Sequence, residues 1–277
     1  MRTLRTLPLL FCMALVSTMY AATWTKIDVP GATQTQVYGI NSGGDIVGLF
    51  TDSNGTSHGF LLKAGTFTTI DVPGARGTVL RGINDNGIMT GWYYASDFFN
   101  RGFVYDGHTF TTLDARPGED DTIVYGINNG GVVVGYWGCD CSNPDYHGFE
   151  WVGGTFTTVE VGPPGQTILT GINSKDHESG FNPFNWKSFL RNPTGDVRHF
   201  NFANPCCGIV AGLNEHKAMV GYYPGDAPGF KLTDSKVLVQ LQFPHAAATY
   251  VYGINNNRQI VGAYLKRGVY HGFLMTK

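Results

Sequence analysis

The sequence predicts an all-β fold, a six-bladed propeller of four-stranded antiparallel blades, and three observations carry it. A Gly-aliphatic-Asn triplet begins at Gly39 and returns at Gly82, Gly126, Gly171, Gly212 and Gly253, with 41 to 45 residues between copies. Each interval divides into four short runs rich in β-branched, aromatic or aliphatic residues, bounded by Gly, Asn, Asp or Pro. No 3.6-residue apolar period is sustained beyond the N-terminal segment. Four strands per repeat of this length is the signature of a propeller blade, and six repeats give six blades.

Residues 1–22 stand apart. Arg2 and Arg5 precede an uncharged apolar run from Leu7 to Val16, and Ala21 and Ala22 offer a small-residue cleavage point. That layout reads as a secretory signal peptide, too short to span a bilayer. Residues 23–277 then form one propeller domain, expected to be secreted, extracellular or periplasmic, with no membrane span. Glycine supplies 38 of 277 residues and charged residues only 14%, against usual shares of ~7% and ~25%. This composition suits sheets and tight turns. Without Arg2 and Arg5, 17 basic residues face 21 acidic ones. No basic stripe is present, which excludes nucleic acid as the expected partner.

In the first full repeat the four runs are 35–41, 45–50, 58–62 and 67–72, the last two joined by a tight hairpin turn at Ala64-Gly65. The run Trp24–Val29 resembles a fourth strand, whereas the chain ends just after a third. With Gly-Ile-Asn on the innermost strand, the N-terminal run completes the last blade beside Tyr270–Met275. Pairing of the two chain ends then closes the ring and removes two sheet edges. A charge pattern fits this frame. His58, Arg101, His147 and His271 in the third runs face Asp71, Asp114, Glu160 and Asp28 in the fourth. Lys187 faces Asn201, and Pro228 faces Gln242. The histidines therefore read as partners within blades.

The third runs contain His58-Gly59-Phe60, His147-Gly148-Phe149 and His271-Gly272-Phe273. Related forms are Arg101-Gly102-Phe103, Lys187-Ser188-Phe189 and Pro228-Gly229-Phe230. Across the whole region after the signal peptide the repeat resembles the bacterial extracellular HAF-repeat family, named for a recurring His-Ala-Phe motif. The resemblance implies export and repetition, and brings no catalytic residues with it.

The connections between second and third strands, and from each fourth strand to the next blade, emerge on one face and are the longer ones. Variable loops on a rigid scaffold are where binding usually resides. This face collects aromatic and acidic residues, of which Tyr93, Tyr94, Trp137, Trp186, Tyr222, Tyr223, Asp121 and Asp226 form the candidate ligand-binding set. Rings stack on the apolar faces of sugars, and carboxylates accept hydroxyl hydrogen bonds. The expected function is a non-catalytic recognition module for a polysaccharide or cell-surface glycan, with a protein as the other partner class.

The alternative is a secreted carbohydrate-active enzyme, a polysaccharide lyase or glycosidase, with acids near the channel mouth. Its candidates are Glu178 and His177, where the fourth blade replaces an apolar position with a carboxylate. Such a group needs a partner or a raised pKa unless its strand frays and exposes it. Cys139, Cys141, Cys206 and Cys207 are disulfide candidates with three possible connectivities. No metal site is expected. Asp52-Ser53-Asn54-Gly55 faintly resembles a calcium loop but lacks the full ligand set. Nucleophile-elbow, phosphate-loop, zinc-protease and dinucleotide motifs are all missing.

Overall fold

The computed structural model describes residues 22–118, 120–139, 144–200, 202, 207–225, 227–234 and 237–277. Most of the expected signal peptide, together with Cys141, Asn201, Cys206 and Asp226, lies outside the described residues. Six four-stranded antiparallel sheets follow one another around an axis. Each is a meander whose first strand is innermost. In blade 1 the strands are Gln34–Ile40, Ile46–Thr51, Ser57–Lys63 and Thr66–Ile70. The last blade takes its outer strand from the other end of the chain: Thr23–Ile27 pairs antiparallel with Val269–Thr276, with Trp24 opposite Met275. The closure read from the sequence is therefore present, as are the ion pairs. His58 Nδ1 lies 2.7 Å from Asp71, Arg101 Nε 2.8 Å from Asp114, His147 Nδ1 2.5 Å from Glu160 and His271 Nδ1 2.8 Å from Asp28.

The repeated triplet is explained atom by atom. The Gly positions are where inner strands crowd together. A Cβ built on Gly82, Gly126 or Gly212 would lie 3.3 Å from the next blade's glycine Cα, and one on Gly39 would meet the Arg81 carbonyl oxygen at 2.7 Å. The aliphatic residue is buried in five blades, and Leu213 in the fifth is partly buried. The Asn does two things. Its Oδ1 accepts from the backbone N–H four residues on, as Asp45 N to Asn41 and Gln259 N to Asn255, fixing the turn to the second strand. Its Nδ2 donates to the carbonyl of the equivalent Asn in the next blade: Asn41 to Asn84, Asn84 to Asn128, Asn128 to Asn173, Asn173 to Asn214, Asn214 to Asn255, and Asn255 back to Asn41. All six Asn residues are buried, so each of these bonds satisfies groups that water cannot reach.

The core lies within and between blades. Phe60, Phe103, Phe149, Phe189, Phe230 and Phe273, from the six His-Gly-Phe-type motifs, are all at most 1% exposed. Second-strand aliphatics reach across to the neighbouring blade: Val47 packs with Leu80 and Phe103, Val134 with Leu169 and Phe189, and Val261 with Val37 and Phe60. Each such aromatic contributes ~2–3 kcal/mol by burial alone.

Candidate functional site

Every inner strand carries a β-bulge at the residue before its triplet glycine. The pairing skips from Val37 to Gly39, Leu80 to Gly82, Val124 to Gly126, Leu169 to Gly171, Val210 to Gly212 and Val251 to Gly253. A bulge re-aims the extra residue. Here the six extra residues, Tyr38, Arg81, Tyr125, Thr170, Ala211 and Tyr252, line the central channel. Ile209, Phe181 and Tyr222 line it nearer the long-loop face, and the space enclosed is about 150 Å³. Cavities of this order admit a single small ring.

The channel is aromatic and singly cationic. Tyr38 and Tyr252 rings lie 4.9 Å apart, Tyr222 and Tyr252 5.4 Å, and Tyr222 and Tyr250 5.5 Å. A second chain runs outward from Tyr125 through Tyr136 and Tyr146 to Phe184 at 6.2, 5.4 and 6.0 Å. The Arg81 guanidinium sits 3.9 Å from the Tyr38 ring centre and 4.9 Å from that of Tyr125. Among the described residues no carboxylate pairs with it, and its Nε is buried without a hydrogen-bond partner. Burial pushes the phenols of Tyr38, Tyr136 and Tyr252 above their ordinary range, and that of Tyr222 to about 12, although Arg81 pulls the other way. At neutral pH these rings are hydrogen-bond donors, not bases.

The aromatic residues chosen from the sequence divide by strand alternation. Successive side chains point to opposite faces. Tyr222 enters the channel, so Tyr223 turns into the blade, where it is 1% exposed against Phe202 and Phe230. Tyr223 is closed to a ligand. Trp137 stacks on His147 at 4.0 Å under the Arg116 guanidinium, and Tyr93 packs into the second blade's core. Both serve packing. Tyr94 and Trp186 are the exposed pair, Trp186 at 38% with its ring parallel to Phe181. Asp121 accepts from both the backbone and side-chain nitrogens of Asn100, which commits its oxygens to loop structure.

Glu178 and His177 do not form an acid/base pair. The strand Glu178–Phe181 is regular and paired on both sides, and Glu178 is 0% exposed, not frayed into solvent. Its Oε2 accepts from Arg191 Nη1 at 2.5 Å, and the same guanidinium lies 3.4 Å from Glu150. His177 lies in a separate surface cleft with Lys217, Arg198 and Asp234. Glu178 and Arg191 are cross-strand partners, and the equivalent pairs elsewhere are Ile46–Leu62, Met89–Tyr105, Val133–Trp151, Met219–Leu232 and Ile260–Met275. An apolar pair has thus been replaced by a hydrogen-bonded carboxyl–guanidinium pair.

The Asp52 loop is a side-chain-capped turn: Oδ1 accepts from the backbone N–H groups of Asn54 and Thr56. Among the described residues one trio brings potential metal-ligand atoms within 4.8 Å, Asp120, Cys139 and Asp145. Arg116 Nη1 already lies 3.5 Å from Asp120.

No protein-family model matches the chain. No curated protein matches it in sequence. Solved structures do. A streptogramin B lyase aligns with TM-score 0.56 at 13% identity, over 92% of this chain and 98% of that one. A fucose-specific lectin from Aleuria aurantia aligns at 0.55 and 14%, over 91% and 96%. A putative gluconolactonase aligns at 0.58 and 10%, over 93% of each. At such identities the likeness shows the propeller fold alone, which hosts both binding proteins and enzymes. No helix among the described residues is long and apolar enough to cross a membrane.

Proposed function

We propose that this protein is a non-catalytic recognition propeller that takes a ring of a glycan at the long-loop end of its central channel. The carrying observation is the lining at this end of the channel: Tyr38, Tyr125, Tyr222, Tyr252 and Phe181 around one cationic group. No carboxylate, histidine or thiol is among the described lining residues there, and the acids Asp85 and Glu215 stand at the opposite mouth. Stacked tyrosines bind sugar faces and their hydroxyls bond sugar hydroxyls. Glycosidase chemistry calls for two carboxylates flanking the scissile bond, and the phenols of Tyr38, Tyr222 and Tyr252, held protonated by burial, make poor bases for a lyase. Among the propellers of similar fold, a lectin structure holding Fucα1-6GlcNAc supports the carbohydrate reading by analogy.

The reading includes export after cleavage near Ala22, membership of the HAF-repeat family and oxidation of the four cysteines. N-terminal sequencing and reducing against non-reducing mass spectrometry of the secreted protein test the first and last. A glycan array with the mature protein tests the function. Binding to a defined set of glycans is expected, weakened at least tenfold by Tyr222→Ala with Tyr252→Ala, since an aromatic anchor contributes at least ~1 kcal/mol at an interface. An array with no binding, and capture of a protein partner instead, would defeat the carbohydrate reading.

A further inference from the structure

We propose, resting on the carbohydrate reading above, that Arg81 makes the site selective for an acidic sugar and is the group that receives its carboxylate. Three observations carry this. Arg81 stands at the one bulge position where the channel turns from aromatic or small to cationic. Three tyrosine rings surround the guanidinium, Tyr38 at 3.9, Tyr125 at 4.9 and Tyr252 at 6.0 Å from their centroids. Its Nε is buried without a hydrogen-bond partner. None of the described residues lining this end of the channel is acidic, Asp85 and Glu215 lying at the opposite mouth, and no ion pair involving Arg81 is present among the described residues.

Two other half-buried guanidinium groups are answered from within the protein. Arg191 meets both Glu178 and Glu150. Arg101 likewise meets Asp97 and Asp114. A guanidinium held out of bulk water without a counter-charge is costly, and a planar carboxylate matches its fork with two parallel hydrogen bonds. The flanking Tyr252 hydroxyl, kept protonated by burial, adds a donor to the same oxygens, whereas that of Tyr38 donates to Gln36. A sulfate half-ester would offer the same chemistry on a bulkier tetrahedral group. The planar, two-oxygen match to a guanidinium favours the carboxylate of a hexuronate ring.

The test is calorimetry of the wild-type protein with a hexuronate-terminated oligosaccharide and with its carboxyl-reduced, neutral counterpart. The acid form is expected to bind at least tenfold tighter, with affinity falling as salt rises. Arg81→Gln should bring the two affinities together, and Arg81→Lys should keep a reduced preference. Equal wild-type affinity for both, or preference for the neutral form, overturns the proposal while leaving a carbohydrate site in place. Binding of neither form overturns both. The wild-type comparison needs no variant, so it decides the matter even where Arg81→Gln fails to fold.

Discussion

Asn255 donates from Nδ2 to the main-chain carbonyl of Asn41 at 2.9 Å, across 214 positions of sequence. This bond joins the last blade to the first and completes a circular belt of six equivalent bonds. A second bond from the same blade, Asn256 Nδ2 to Ser42 Oγ at 3.2 Å, runs beside it. The belt and the outer-strand pairing of Thr23–Ile27 close the ring at two different radii.

Asn255→Ala is therefore expected to cost ~1–3 kcal/mol, because it strips a turn cap, leaving the Gln259 N–H without its acceptor, and removes one of the two bonds to the buried Asn41 carbonyl. Scanning calorimetry should show a melting temperature lower by several degrees. Asn54→Ala, in an exposed loop, should move it little. Equal effects at the two positions would show that the belt contributes nothing special.

The Glu178–Arg191 pair yields a prediction of opposite signs. Replacing Arg191 alone by Leu leaves the buried Glu178 carboxyl without its donor and should cost ~1–3 kcal/mol in chemical denaturation. Replacing both, Glu178→Met with Arg191→Leu, restores the apolar pairing of the other five blades. That double variant should match or exceed wild-type stability. A double variant weaker than Arg191→Leu would overturn the interpretation.

Burial first, then Glu150, raises the Glu178 carboxyl to about 8 against the pull of Arg191. The folded protein thus holds a proton that the unfolded chain, with a pKa near ~4.3, has released. Stability contributed by this group is greatest below ~4.3 and declines as pH rises toward about 8. Unfolding midpoints measured across that window should fall more steeply in wild type than in Glu178→Gln.

His58 titrates with the opposite chemistry but a related outcome. Burial pulls its pKa down, yet Asp71 and then Asp52 outweigh it and the net direction is up. Its pairing therefore stabilises fully below the unfolded value of ~6.5 and is lost as pH rises through the raised folded value. Proton NMR should place His58 above a free histidine, and Asp71→Asn should bring it down.

Much of this fold was legible because each repeat states the same constraints six times. The Gly-Ile-Asn triplet, the Phe of the third strand and the His–Asp pairs such as His58–Asp71 fix strand order, register and closure without any long-range inference. The site was less legible. Tyr222 and Tyr223 look alike in sequence, yet one lines the channel and the other is core, a difference of one residue in a period of two. Tyr38, Arg81, Tyr125 and Tyr252 read as ordinary members of an inner strand until the bulge before each glycine turns them to the axis. The variation at that one repeat position, Tyr, Arg, Tyr, Thr, Ala, Tyr beside an invariant glycine, was the available signal. Arg191 was missed because it is the partner of an anomaly, and only the strand register joins it to Glu178.

The most direct test of a channel site is titration calorimetry of an array-positive glycan against two double variants. Tyr222→Ala with Tyr252→Ala removes rings from the channel, and Tyr94→Ala with Trp186→Ala removes the exposed rings of the long loops. A ligand held in the channel predicts at least a tenfold loss of affinity in the channel variant, with far-ultraviolet dichroism unchanged, and less than a threefold loss in the loop variant. Full affinity in a folded channel variant, with binding lost from the loop variant, would contradict it and place the site outside the channel.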